Sequence, residues 1–168
     1  MRHLDPQLGR QSGFTLVELV TVILILGVLA AVALPRYADL QGKARESKVK
    51  AVAGSMKAAS GLAKAQAVAN SVSCSGASTS IIMEGTTVAL NYCYPQALTT
   101  FTAGILGASN VSAADGWQVQ TGTGGATGGT ALVLELADAS TPASCSISYT
   151  SAASASAPPV VSTTVTGC

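Results

Sequence analysis

The sequence predicts an α+β fold in which a long N-terminal α-helix packs against a C-terminal antiparallel β-sheet. Three observations carry that expectation. Residues 14 to 34 form an apolar run with one charge, residues 36 to 69 are rich in Ala, Lys, Leu and Gln, and the end of the 168-residue chain holds short β-branched runs separated by Pro, Ser and Ala. A helix long enough to cover both N-terminal stretches supplies the partner that a half-apolar sheet needs.

The run Phe14 to Leu34 is 21 residues long and spans a bilayer as a helix. A secretory signal has a shorter apolar core followed by a small-residue cleavage site; LAAVALP only imitates one. Its single charge, Glu18, is costly in hydrocarbon unless paired, so it should face a partner or mark a function; snorkelling to the headgroups is the plainer alternative. Arg2 and Arg10 precede the run, and Arg36, Lys43 and Arg45 follow it, so the charge rule leaves orientation open. Pro35 cannot donate a backbone hydrogen bond and predicts a bend or a local loosening. Beyond it, Val49, Val52, Met56, Ala59, Ala63 and Ala67 recur at spacings of three and four and draw one apolar stripe. One helix from Phe14 to Ala69 extends about 80 Å at 1.5 Å per residue, more than a small domain buries alone.

From Asn70 to Gly129 the chain reads as loops with short strands at Ile81 to Met83 and Val88 to Tyr92. GTGGATGG, residues 122 to 129, reads as a flexible turn or surface loop. TALVLELAD, CSISYT and PVVSTTVTG then read as strands of one antiparallel sheet of three or more strands.

Hydrophobic residues are 48% of the chain and charged residues 10%, with a formal net charge of +1. That balance gives no long-range field to gather nucleic acid or a strongly acidic partner. Arg36, Lys43, Arg45, Lys48, Lys50, Lys57 and Lys64 all lie on the second half of the helix, and no Lys or Arg follows residue 64. Trp117, Tyr92 and Tyr94 do not interleave with those cations and are expected in the core, so a stacking platform for nucleic acid is not predicted. Cys74, Cys93, Cys145 and Cys168 follow the apolar run and lack short CxxC spacing. An even count beside a membrane segment favours disulfides in an oxidising compartment and an exported C-terminal body. Three pairings exist; Cys74 with Cys93 and Cys145 with Cys168 are preferred because each closes a local loop.

The stretch Gly13, Phe14, Thr15, Leu16, Glu18, Leu19, followed by the apolar run to Pro35, resembles the N-terminal signature of the type IV pilin family. Val17 stands where that family often has Ile. The resemblance implies a type IV pilin fold and a prepilin leader over residues 1 to 13, cut after Gly13 by a prepilin peptidase that methylates Phe14. It implies a transmembrane and filament-core helix over 14 to 35 and a periplasmic or extracellular head over 36 to 168. It also implies that Glu18 meets the N-terminal amine of a neighbouring subunit, with Pro35 and Gly42 as places where the helix loosens during assembly. Gly27, Ala30, Ala31 and Ala33 let helices approach closely. Within the family, ALPRYADLQGKAR, residues 33 to 45, looks like the MSHA-type (mannose-sensitive haemagglutinin) major pilins, as does the disulfide-closed segment 145 to 168.

The function implied is a structural subunit that polymerises into a surface filament for adhesion and attachment. Its partners are other copies of the chain, the inner membrane before assembly, the peptidase, the assembly platform and motor, and a surface or glycan receptor. A pseudopilin of a type II secretion system and a minor pilin share the same N-terminal features. An enzyme is not expected. His3 leaves with the leader, Glu84, Asp115, Glu135 and Asp138 are scattered, and the SxxK match at Ser47 to Lys50 lacks companion motifs. GTGGATGG lacks the Lys and Ser/Thr of a phosphate loop. No cofactor or metal is predicted.

Overall fold

The computed structural model describes residues 13–76 and 78–168. Residues 1–12 of the expected leader, with Arg2, His3 and Arg10, lie outside the described residues. The chain forms two compact units, residues 1–40 and 41–168. Helix α1 (Leu16–Ala69) begins in the first and ends in the second.

In the first unit every residue from Leu16 to Leu40 is solvent-exposed. The helix passes through Pro35 without interruption. Proline removes one i to i−4 hydrogen bond and costs about 3 kcal/mol, and strong helix formers on both sides carry the segment across that gap.

In the second unit α1 is followed by β1 (Thr79–Met83), β2 (Thr86–Asn91), β3 (Tyr94–Pro95), α2 (Gly104–Ala108), β4 (Trp117–Val119), β5 (Ala131–Leu136), β6 (Ser146–Thr150) and β7 (Val160–Thr164). These strands form two antiparallel sheets, β1-β2-β3 and β4-β5-β6-β7, where the sequence predicted one. The unpredicted strands β3 and β4 are two and three residues long, too short for a period-two signal.

Two tight hairpins build the first sheet. Glu84 and Gly85 (φ 47° and 81°) link β1 to β2, and Tyr92 and Cys93 (φ 51° and 66°) link β2 to β3. Two positive φ values at the centre of a two-residue loop match the right-handed twist of the flanking strands. Tyr92 and Cys93 take that conformation without glycine, against a steric preference, beside the disulfide that holds Cys93.

The buried face of α1 serves both sheets in succession. Val49, Ala53, Met56 and Ala59 share a core with Leu132, Leu134 and Leu136 of β5, Ile147 and Tyr149 of β6, Trp117 of β4 and Ile105 and Leu106 of α2. One to two turns later, Ala63 and Ala67 meet Ile81, Val88, Leu90 and Cys93. The observed stripe thus includes Ala53 and Ser60 beyond the predicted set, and Val52 is only half-buried. Each large aliphatic side chain buried this way contributes about 1.5–3 kcal/mol.

A buried hydrogen bond ties the sheets together. The Tyr149 hydroxyl on β6 donates to the Pro95 carbonyl of β3 at 2.7 Å. Burial, then the neighbouring Tyr94, raises the Tyr149 pKa above the ordinary phenol value. A folded-state pKa above the unfolded one means that this contribution is complete below about pH 10 and is lost as pH rises further. Tyr149→Phe is expected to lower stability by about 1–3 kcal/mol, because the Pro95 carbonyl loses its donor in a dry site. It should also flatten the alkaline decline above about pH 10; urea unfolding of both chains between pH 7 and 11 checks both effects.

The glycine segment 122–129 is the turn and surface loop that its composition suggests, and its backbone is pinned to its neighbours. Gly124 donates to the Ala131 carbonyl and Gly125 to the Ala97 carbonyl, each at 2.7 Å. A Cβ at Gly124 would sit 2.8 Å from the Ala97 carbonyl oxygen, and one at Gly128 2.6 Å from that of Ala152. Glycine is required here for close backbone approach.

Candidate processing and assembly site

The start of α1 is set by Thr15 and Glu18. The Thr15 side-chain hydroxyl accepts from the Glu18 backbone N–H at 3.2 Å, and Glu18 Oε2 accepts from both the Thr15 backbone N–H and its hydroxyl, each at 2.9 Å. This reciprocal pair is a capping box, which satisfies helix-end donors that have no partner within the helix. A carboxylate in the first turn also complements the helix dipole. The reading of Glu18 from the sequence did not include this local role, although T-x-x-E before an apolar run is its signature. Both bonds end on Oε2, so among the described residues Oε1 remains for a further donor.

Gly13 and Phe14 precede this cap. A Cβ at Gly13 would meet nothing within 4 Å, and Phe14 is 93% exposed. The bond between them lies in an exposed segment without regular secondary structure just outside the helix. Beyond the cap the apolar residues from Leu16 to Leu34 are uncovered all round, and the helix is long and apolar enough to cross a membrane. A surface helix of a soluble domain shows one apolar stripe; this segment has no polar face.

In the second unit the structure joins Cys74 to Cys93 and Cys145 to Cys168, at sequence separations of 19 and 23 residues. The first bond ties the segment after α1 to the β2–β3 hairpin. The second fixes the tail beyond β7 to the start of β6, helped by Gly167 N–H to Ser144 O at 2.9 Å and Thr141 N–H to Gly167 O at 3.2 Å. Cys145 is fully buried. Replacing Cys145 and Cys168 together with Ser is expected to cost about 2–5 kcal/mol, read as a drop in the urea midpoint.

The scattered acids stay apart in role. Glu84 sits in the β1–β2 turn. Glu135 accepts from Gln118 Nε2 at 3.2 Å, Asp138 lies 3.6 Å from Arg45 Nε, and the Asp115 backbone carbonyl receives the Lys48 ammonium. The Ser47 hydroxyl donates to the Lys43 carbonyl at 2.9 Å, while Lys50 pairs with Glu46, so the SxxK residues are engaged elsewhere. Among the described residues no group of three or more His, Cys, Asp or Glu could hold a metal. One expectation changes: cations do meet aromatics, with Lys48 5.7 Å from the Trp117 ring centre and Lys64 4.7 Å from that of Tyr94. The helix carries these lysines at the margin of its buried face, where they close over the buried Trp117 and the half-buried Tyr94.

The opposite face of α1 within this unit carries a second pattern. Ala44, Ser47, Ala51, Gly54, Ala58, Gly61, Ala65 and Val68 are all exposed and alternate in steps of three and four. Lys43, Lys50, Lys57 and Lys64 flank them at every seventh residue. A Cβ at Gly54 or Gly61 would meet nothing within 4 Å, so the face is open.

Residues 8–34 match the family model described as the prokaryotic N-terminal methylation motif. The chain is 45% identical over 58 residues to the type IV narrow pilus major component PilA5 of Thermus thermophilus, covering 34% of this chain and 50% of that protein. It is 52% identical over 50 residues to the fimbrial protein EcpB of Eikenella corrodens, covering 30% and 31% of the two chains. It is 51% identical over 49 residues to the type IV major pilin protein PilE1 of Neisseria gonorrhoeae, covering 29% and 30%. The chain thus spans about a third to a half of the length of the curated relatives it matches. No solved structure gives a significant match. Motif and fold together define a chain with a methylation-type N-terminus on a long apolar helix, followed by antiparallel sheets. By that motif and over those residues, the N-terminal part of the chain is similar to type IV pilins.

Proposed function

We propose that this chain is a structural subunit of a type IV pilus that polymerises through α1 into a surface filament for adhesion and attachment. The observation that carries the reading is the uncovered apolar helix from Leu16 to Leu34 with a single carboxylate one turn from the Gly13–Phe14 bond. Such a surface is stable only in a membrane or against other copies, and the same segment serves both in turn. The peptidase cuts between Gly13 and Phe14 and methylates Phe14. The freed cationic amine of one subunit then pairs with Glu18 of another, which fixes axial register because either charge alone is costly in an apolar filament core. Pro35 ends the filament-core segment over 14 to 35, and the head follows from residue 36.

The open face of small residues from Ala44 to Val68 supports close approach of a further helix in the same filament. The two disulfides suit a head that is periplasmic in the precursor and extracellular in the filament. Other partners are the assembly platform and motor and, for adhesion, a surface or glycan receptor. The finer reading, an MSHA-type major pilin, rests on ALPRYADLQGKAR at residues 33 to 45.

Intact mass spectrometry of filaments sheared from native cells tests the proposal. Abundant protein that begins at methylated Phe14 and lacks four hydrogens supports a processed major subunit. The same species confined to the cell envelope overturns the surface-filament reading in favour of a pseudopilin or a minor subunit.

A further inference from the structure

Strand β7 is an open sheet edge. It is the last strand in the order β4-β5-β6-β7, pairs with β6 along five residues, and among the described residues makes no backbone hydrogen bond on its other side. Val160, Ser162, Thr163 and Thr164 are exposed, and Val161 is half-buried. Natural proteins blunt such edges with Lys, an internal Pro, a bulge or a covering segment; Val160 to Val165 carries none of the first three. The other edges differ. In β1 the carbonyl of Ile82 already accepts from Gln66 Nε2 at 2.7 Å, and β4 is three residues long.

The occupant follows from composition, charge and area. An unpaired row of N–H and C=O groups is satisfied by another extended strand. Beyond residue 64 the only charged side chains are Glu84, Asp115, Glu135 and Asp138, none of them on β7, so this edge of Val, Ser and Thr meets a copy of itself with no like charges opposed. Laid antiparallel on itself about Ser162, β7 pairs Val160 with Thr164, Val161 with Thr163 and Ser162 with Ser162 of the second copy. Each cross-strand pair is β-branched or hydroxyl-bearing, the combinations that stabilise antiparallel pairs. Five residues bury far less than the roughly 1,000 Å² that a stable interface needs. The contact is therefore negligible between single molecules and becomes effective only where many copies are held in a row.

We propose that β7 is a lateral docking edge through which a subunit of one filament pairs, about a two-fold axis, with β7 of a second copy in a neighbouring filament. This rests on the pilus-subunit reading above. The test uses native filaments from the unmodified chain, from Ser162→Lys and from Ser162→Glu, compared by low-speed sedimentation and electron microscopy. Ser162 is exposed and opposes itself across the two-fold, so either variant alone places like charges face to face. The expected result is loss of the low-speed pellet for each variant alone, undiminished filament yield, and recovery of the pellet when Lys and Glu filaments are mixed. Thr100→Lys, an equal charge at an exposed position away from β7, should leave association as in the unmodified chain. Bundles that persist in Ser162→Lys, a mixture that does not recover, or unmodified filaments that never associate each overturn the edge proposal. Absence of filaments from the unmodified chain overturns the pilus reading, and this one with it.

Discussion

Gly13→Phe leaves the chain at its full precursor mass and the cell without filaments. In this molecule a Cβ at position 13 meets nothing within 4 Å, so the position has room for a side chain ahead of the capping box at Thr15 and Glu18. In the proposed processing the effect arises in the peptidase site that would cut the Gly13–Phe14 bond, where a bulky residue displaces the scissile carbonyl. A displacement near 1 Å costs a factor on the order of 100 in rate. Intact mass spectrometry of the membrane fraction reads the outcome directly. Unfolding of the second unit, residues 41–168, should keep its urea midpoint, which separates a processing defect from a folding defect. Accumulation of protein that begins at Phe14 in normal amounts would refute the assigned cleavage.

The long helix was legible because its signal is long. The 21-residue apolar run and the stripe through Val49, Met56, Ala59, Ala63 and Ala67 each exceed what chance spacing provides, and α1 runs from Leu16 to Ala69. The sheets were less legible. Strands β5, β6 and β7 carry alternation over five or six residues, whereas β3 and β4 are set by tertiary contacts such as Tyr149 to Pro95 and the burial of Trp117. The hairpins at Glu84–Gly85 and Tyr92–Cys93 lack the Asn-Gly or Asp-Gly signal that announces such turns. Composition gave the turns of residues 122 to 129 but not their close backbone contacts, because glycine reports freedom in the unfolded chain and close approach in the folded one with the same letter.

The candidate site was legible in its chemistry and incomplete in its geometry. Gly13, Phe14 and Glu18 stand out in sequence, yet the engagement of Glu18 by Thr15 required attention to a three-residue spacing. The open face from Ala44 to Val68 was hidden for a different reason. Alanine lines both the buried and the exposed faces of α1, at Ala53, Ala59 and Ala63 on one and Ala51, Ala58 and Ala65 on the other. Hydrophobic periodicity cannot separate two faces built from one residue type, whereas the seven-residue spacing of Lys43, Lys50, Lys57 and Lys64 can.

Glu18→Gln should insert in the membrane, lose its leader normally and fail to build filaments. The capping box makes this the informative substitution. Glu18→Ala removes two functions together: the bonds from Thr15 and the charge. Losing a cap costs about 1 kcal/mol at the helix start, so a defect in that variant alone is ambiguous. Glutamine at the same position retains a carbonyl oxygen for the Thr15 donors and completes a capping box as glutamate does, but it cannot neutralise an amine. In the proposed filament it leaves the cationic N-terminus of a neighbouring copy without its counter-charge. Breaking a buried ion pair from one side costs about 3–5 kcal/mol, repeated at each subunit addition. Sheared-filament yield should therefore fall to a similar low level in both variants, with processed protein retained in the membrane. If Gln supports normal filament number and length while Ala does not, the residue acts as a cap. Normal filaments from both variants would remove Glu18 from assembly altogether.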